Sequence, residues 1–107
     1  MTNEEITTIT KKLAETLLPK KIYLFGSYAR GDNRADSDYD FYVVMPDGEE
    51  NVITLEQKAY RALRGMYKKY RRSIDVLVGY ETHFAERAKY LSLERDVKKE
   101  GILVYGE

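Results

Sequence analysis

Cysteine is absent from the 107-residue chain, and histidine occurs once, as His83. The first absence excludes disulfides, thiolate zinc sites and cysteine nucleophiles. The second leaves no histidine spacing that could hold a metal, so His83 is read as a surface or partly packed residue with no role. No apolar run approaches the roughly 18 residues needed to cross a bilayer. The start, Met1-Thr2-Asn3-Glu4-Glu5, is polar and acidic, unlike a signal peptide. A soluble, cytoplasmic chain forming one domain over residues 1–107 is therefore expected. Net charge is also missing, with Lys+Arg 18 against Asp+Glu 18.

The charge balance hides an asymmetry. Residues 1–57 are acidic overall, whereas residues 58–72 carry seven bases (Lys58, Arg61, Arg64, Lys68, Lys69, Arg71 and Arg72) and no acid. The acidic part suits a cation site. The basic block reads as the solvated side of an amphipathic helix, with a docking face for an acidic protein or RNA as the sharper alternative. At 43% hydrophobic and 34% charged residues, the composition is that of a folded globular chain.

Ile6, Ile9, Leu13 and Leu17 recur at helical intervals, and Thr2 with Glu5 has capping-box spacing, so a helix is expected over 2–18, stopped by Pro19. Lys21–Phe25 is a short apolar strand running into Gly26-Ser27. A polar loop follows from Tyr28 to Ser37, with room for one helical turn after Ser27. A second strand spans 38–45 and ends at Pro46-Asp47-Gly48. The spacing predicts a helix over 54–72, a third strand over 73–78, helical stretches over 82–92 and 94–100, and a candidate fourth strand at 102–105. Alternating strands and helices imply an α/β (α+β) domain, a small mixed sheet flanked by helices.

The chemistry concentrates in Gly26-Ser27-Tyr28-Ala29-Arg30-Gly31, then Ser37-Asp38-Tyr39-Asp40, with a further acid at Asp75 inside the apolar stretch Ile74–Val78. Strand alternation puts Asp38 and Asp40 on the same face. An unpaired carboxylate within an apolar strand is costly, which places Asp75 beside them on a neighbouring strand. The plain alternative pairs Asp75 with Arg71 or Arg72. Clustered carboxylates repel unless a divalent ion lies among them, and an all-oxygen site suits magnesium or manganese. Gly26-Ser27 leaves a strand into a loop where exposed N–H groups can hold phosphate. Ser27 as a simple helix cap is the bland counterpart.

Gly26-Ser27, a ten-residue gap and Asp38-x-Asp40, with Asp75 downstream, resemble the signature of the minimal nucleotidyltransferases of the polymerase-β-like superfamily. The resemblance covers nearly the whole chain, including the ending Val97–Tyr105. It implies a palm-like nucleotidyltransferase fold. Asp38, Asp40 and Asp75 would be catalytic and hold two Mg2+ ions, with Asp75 also helping to deprotonate the acceptor. Gly26, Ser27 and Arg30 would bind the triphosphate of ATP. Larger relatives carry an additional helical domain for the acceptor, and the 32 residues after Asp75 leave no room for one. The acceptor would then be presented by another molecule, in a complex or a homo-oligomer.

The same resemblance implies a partner. Minimal nucleotidyltransferases pair with helical HEPN toxins and act as antitoxins by moving AMP from ATP onto a toxin tyrosine. Two other expectations stand beside it: modification of a small hydroxylated molecule such as an aminoglycoside, and a non-catalytic module that neutralises a partner by masking. Direct nucleic-acid binding ranks below these, because the chain has no obvious base-stacking platform.

Overall fold

Asn3 opens the first helix. Its side-chain oxygen accepts the Ile6 N–H at 2.8 Å, and α1 runs Glu4–Leu17. The computed structural model describes residues 3–34 and 37–106, so the cap expected at Thr2 lies outside the described residues. Ile6, Ile9, Leu13 and Leu17 form the buried stripe that the periodicity calls for. Leu18 ends the helix in the left-handed region (φ 53°), its N–H reaching the Ala14 carbonyl at 3.0 Å, and Pro19 prevents continuation.

The strands are β1 (Lys21–Phe25), β2 (Tyr39–Met45), β3 (Ile74–Tyr80) and β4 (Ile102–Tyr105), in the order β3-β2-β1-β4. β1 runs antiparallel to both of its neighbours, whereas β2 and β3 are parallel. The sheet is therefore mixed, as expected. Alternation divides its side chains between two layers. Tyr39, Phe41, Val43 and Met45 of β2 join the larger core with Ile6, Ile9 and Leu13 of α1. Tyr42 and Val44 face the other way, into a smaller cluster with Tyr23, Phe84 and Val97. Asp40 and Asp75 belong by parity to that second face, at the end of the sheet where its covering thins.

The helices after α1 are α2 (Ser27–Arg30), α3 (Val52–Ala62), α4 (Arg64–Tyr70), α5 (Glu81–Arg87) and α6 (Leu93–Glu100). The single helix expected over 54–72 is two. Leu63 joins them at φ −93°, ψ 1°, while its side chain stays fully buried, so the break preserves the apolar stripe and re-aims it. The third strand runs two residues further than the pattern suggested. Gly79 is no stop signal but a packing requirement, since a Cβ there would collide with the Tyr42 hydroxyl. The stretch expected as helix over 82–92 ends at Arg87. Ser92 turns the chain by donating to the Arg87 carbonyl (2.7 Å) and accepting the Arg95 N–H (3.1 Å) as the α6 cap. No helix among the described residues is long and apolar enough to cross a membrane.

β3 lies at one edge of the sheet, where unpaired backbone groups invite another chain. Side chains from α3 and α4 occupy them. Tyr60 accepts the Val76 N–H at 3.2 Å, Glu56 accepts the Val78 N–H at 2.9 Å, and Tyr67 donates to the Ile74 carbonyl at 2.8 Å. The same contacts fasten both helices to the strand that carries Asp75. Glu56→Ala is expected to cost about 1–3 kcal/mol, the range for leaving a buried amide without its acceptor. Urea denaturation would read that loss, and size-exclusion chromatography would show new self-association through the uncovered edge.

Candidate active site

Gly26 follows β1 with φ 76° and ψ −150°, a conformation that side chains other than hydrogen essentially forbid. A Cβ at this position would also run into the Asp40 carboxylate. Two constraints therefore select glycine: the backbone conformation itself, and the passage of the turn close over Asp40. The chain then makes one helical turn, α2. Its first helical bond runs from the Arg30 N–H to the Gly26 carbonyl at 3.1 Å, which leaves the N–H groups of Ser27, Tyr28 and Ala29 outside the helical ladder. Gly26 itself occupies the cap position and no side chain caps α2, so Ser27 does not spend its hydroxyl as a cap.

The pairing register puts Phe25, Asp40 and Asp75 in one row across β1, β2 and β3. Asp38 sits just before β2, exposed to solvent. Asp40 is the half-buried member, and its carboxyl is pushed up to about 6. Burial is the largest cause, followed by the negative charges of Asp75 and Asp38 and by a hydrogen bond shared with Asp75, while Arg30 pulls the other way. The burial cost expected at Asp75 falls on Asp40 instead. Asp75 lies on the exposed side of an edge strand, so its apolar sequence neighbours do not desolvate it. Arg72, weighed as its partner, is engaged by Glu5, Tyr28 and Ser37.

Among the described residues, no three His, Asp or Glu side chains stand close enough together to hold a metal ion. The chemistry of the donor set still fits a divalent cation. All three groups are hard oxygen donors, and the negative charges of Asp75 and Asp38 add to burial in raising Asp40. Arg30 is exposed and lies 3.3 Å from Asp32 while facing Asp40 electrostatically. A cleft of about 230 Å³ opens beside Gly26, between Phe25, Ala29 and Arg30 on one side and Leu93 and Val97 on the other. A larger groove of about 470 Å³ runs between α1 and β4 and includes none of these residues.

Sequence reasoning missed a second layer behind the site. Tyr39, fully buried between the two aspartates, donates its hydroxyl to Glu5 at 2.6 Å and accepts from Asn3 at 3.1 Å. Burial, then the Glu5 bond, raises its pKa. Arg72 covers the Tyr39 ring, 4.5 Å from its centroid. Reading the basic block as one solvated face placed Arg72 wrongly, because its side chain is only 13% exposed. Nothing in the spacing of the seven bases distinguishes it.

A family model described as a nucleotidyltransferase domain matches residues 4–104. The chain belongs to the nucleotidyltransferase family. A protein of Methanocaldococcus jannaschii, provisionally assigned as a protein adenylyltransferase, is 37% identical over 86 residues, covering 80% of this chain and 78% of the relative. Among solved structures, a provisionally assigned nucleotidyltransferase from Sulfolobus solfataricus aligns over 97% of this chain and 79% of its own, with a TM-score of 0.67 and 24% identity. A chain of a toxin–antitoxin complex with AMP-PNP aligns over 98% of this chain and 75% of its own, with a TM-score of 0.61 and 24% identity. A chain from the complex of a tri-AMPylated Shewanella oneidensis HEPN toxin with an MNT antitoxin aligns over 94% and 70%, with a TM-score of 0.51 and 25% identity. The nucleotidyltransferase fold expected from the signature is thus the fold of this chain. Its Gly26 turn lies at the same end of the sheet as Asp40 and Asp75.

Proposed function

We propose that this nucleotidyltransferase is a single-domain, magnesium-dependent protein adenylyltransferase that silences a HEPN-type toxin by moving AMP from ATP onto a tyrosine hydroxyl. The observation that carries the reading is the row in which Asp40 faces Asp75 directly beneath the glycine turn. The 37%-identical adenylyltransferase relative and the toxin–antitoxin neighbours support the acceptor class.

Asp38, Asp40 and Asp75 are the residues that would hold magnesium. Bound there, the metal supplies charge neutralisation for the triphosphate and a lowered pKa for the attacking hydroxyl. Ser27, with the N–H groups at the start of α2, holds the outer phosphates, and Arg30 adds positive charge at the mouth of the turn. The acceptor oxygen attacks the α-phosphorus, forming the new P–O bond. The bond from the α-phosphorus to the bridging oxygen breaks, and pyrophosphate leaves with that electron pair. Asp75, exposed on the acceptor side, takes the hydroxyl proton. The AMPylated HEPN toxin in the complex of one structural neighbour supports an acceptor supplied by the partner.

The test combines the protein with labelled ATP, Mg2+ and the helical product of a neighbouring reading frame, followed by mass mapping. AMP on a partner tyrosine, dependent on Mg2+ and lost in the Asp38→Asn, Asp40→Asn double variant, is the expected result. Neutralisation that survives the double variant would replace catalysis with masking. Label on an aminoglycoside and none on protein would replace the acceptor.

A further inference from the structure

Arg72 connects the parts of the site that the sequence keeps apart. It lies just before β3, beyond the end of α4, and its Nη1 donates to the Tyr28 hydroxyl at 2.8 Å and to the Ser37 carbonyl at 2.6 Å. Its Nε lies 3.5 Å from Glu5 Oε1 on α1. The guanidinium also covers Tyr39 at 4.5 Å and Tyr28 at 5.8 Å from the ring centroids, and those two rings pack 4.8 Å apart. Three of the four residues it contacts, Tyr28, Ser37 and Tyr39, lie one residue from a candidate site group. Tyr28 follows Ser27, Ser37 precedes Asp38, and Tyr39 separates Asp38 from Asp40.

We propose that Arg72 is a positioning residue that ties Tyr28, at the start of the loop, to Ser37 at its end, and with them fixes the separation between the phosphate-side turn and the Asp38 carboxylate. The proposal rests on the nucleotidyl-transfer reading of the site. Held at both ends by one planar group, the polar loop has its ordering entropy paid by bonds that point in fixed directions. Only arginine meets all of these contacts at once. Its Nη1 serves two acceptors and its Nε faces Glu5 while its plane lies over the Tyr39 ring, whereas a lysine ammonium offers a point charge with no plane. Arg72 therefore differs in kind from the other bases of its block, of which five are exposed and Lys58 pairs with Glu50.

The test compares wild type with Arg72→Lys, with Lys69→Ala on exposed α4 as control. Two readouts are used: amide exchange by NMR, and Mn2+ binding in the presence of ATP by electron paramagnetic resonance. Gly31, Asp32, Arg34 and Ser37 have N–H groups bonded within the loop, so their exchange reports its order. Arg72→Lys is expected to speed exchange at these four amides at least ten-fold, leave α1 and β2 unchanged, and weaken Mn2+–ATP binding at least five-fold. Lys69→Ala should change neither readout. Exchange and affinity both within two-fold of wild type would overturn the proposal, as would a loosened loop with unchanged affinity. Should Arg72→Lys not fold, Tyr28→Phe removes one acceptor and keeps the ring, and must loosen the same four amides. If wild type itself binds no Mn2+–ATP, the nucleotidyl-transfer reading fails, while the exchange data still decide whether Arg72 orders the loop.

Discussion

Asp40→Asn is expected to abolish transfer and to stabilise the metal-free protein, two effects of opposite sign from one substitution. The loss of rate should be on the order of 10³-fold or more, as for removal of a group that stabilises transition-state charge directly. The gain in stability follows from proton linkage. Asp40 has its folded pKa raised to about 6 from 3.8, so the folded chain binds more protons than the unfolded chain between those values. Stability therefore falls as pH rises through that window and stays at the lower level above it. Half-buried and partly solvent-screened, the charged carboxylate costs about 1–2 kcal/mol at pH 7.5. Asparagine removes that charge and offers Asp75 an N–H donor. In chelator at pH 7.5 its melting temperature should exceed wild type by about 5–10 °C, the scale for a domain of this size. The gain should shrink to nothing near pH 4, where wild-type Asp40 is protonated. A variant less stable than wild type at both pH values would show that the charged Asp40 carries no such cost.

The second large effect belongs to Gly26→Ala. The backbone conformation at Gly26 costs a non-glycine residue about 1–3 kcal/mol, and the new Cβ must also displace the Asp40 carboxylate. A displacement of about 1 Å at the reacting groups is worth roughly 10²-fold in rate. Gly31→Ala is the matched control. Gly31 also has positive φ, 81°, yet a Cβ there meets nothing within 4 Å. Its substitution should cost about 1 kcal/mol through backbone strain alone and leave the rate within a few-fold. Equal losses of transfer in the two variants would mean that the Gly26 turn matters only as backbone, with no connection to Asp40.

The two substitutions test the part of the site that was most legible in advance. Local pattern reveals Gly26-Ser27 and Asp38-x-Asp40, because a glycine leaving a strand and two acids at strand spacing are short-range features. The expectation that Asp75 lies on a neighbouring strand also matches the register, Asp40 opposite Asp75. The reason given for it does not hold, since Asp75 is exposed and Asp40 carries the burial. Apolar neighbours along a strand do not reveal which face is covered; that depends on which helices pack above it. The break at Leu63 was hidden for a related reason. The apolar series from Ala59 to Tyr70 keeps helical spacing through the break, so the pattern gives no sign of it.

By itself the sequence determined the element types, the buried stripe of α1 and the cluster of chemistry-bearing residues between 26 and 40. These follow from periodicities of two and 3.6, and from residues whose conformational range is narrow. The tertiary structure alone decided which acid is desolvated, which of seven bases is buried, and how the β3 edge is closed. Each of those depends on contacts between segments tens of residues apart, such as Arg72 with Tyr28 or Glu56 with Val78. Burial and pairing at that range are properties of the packed chain, and no local pattern encodes them.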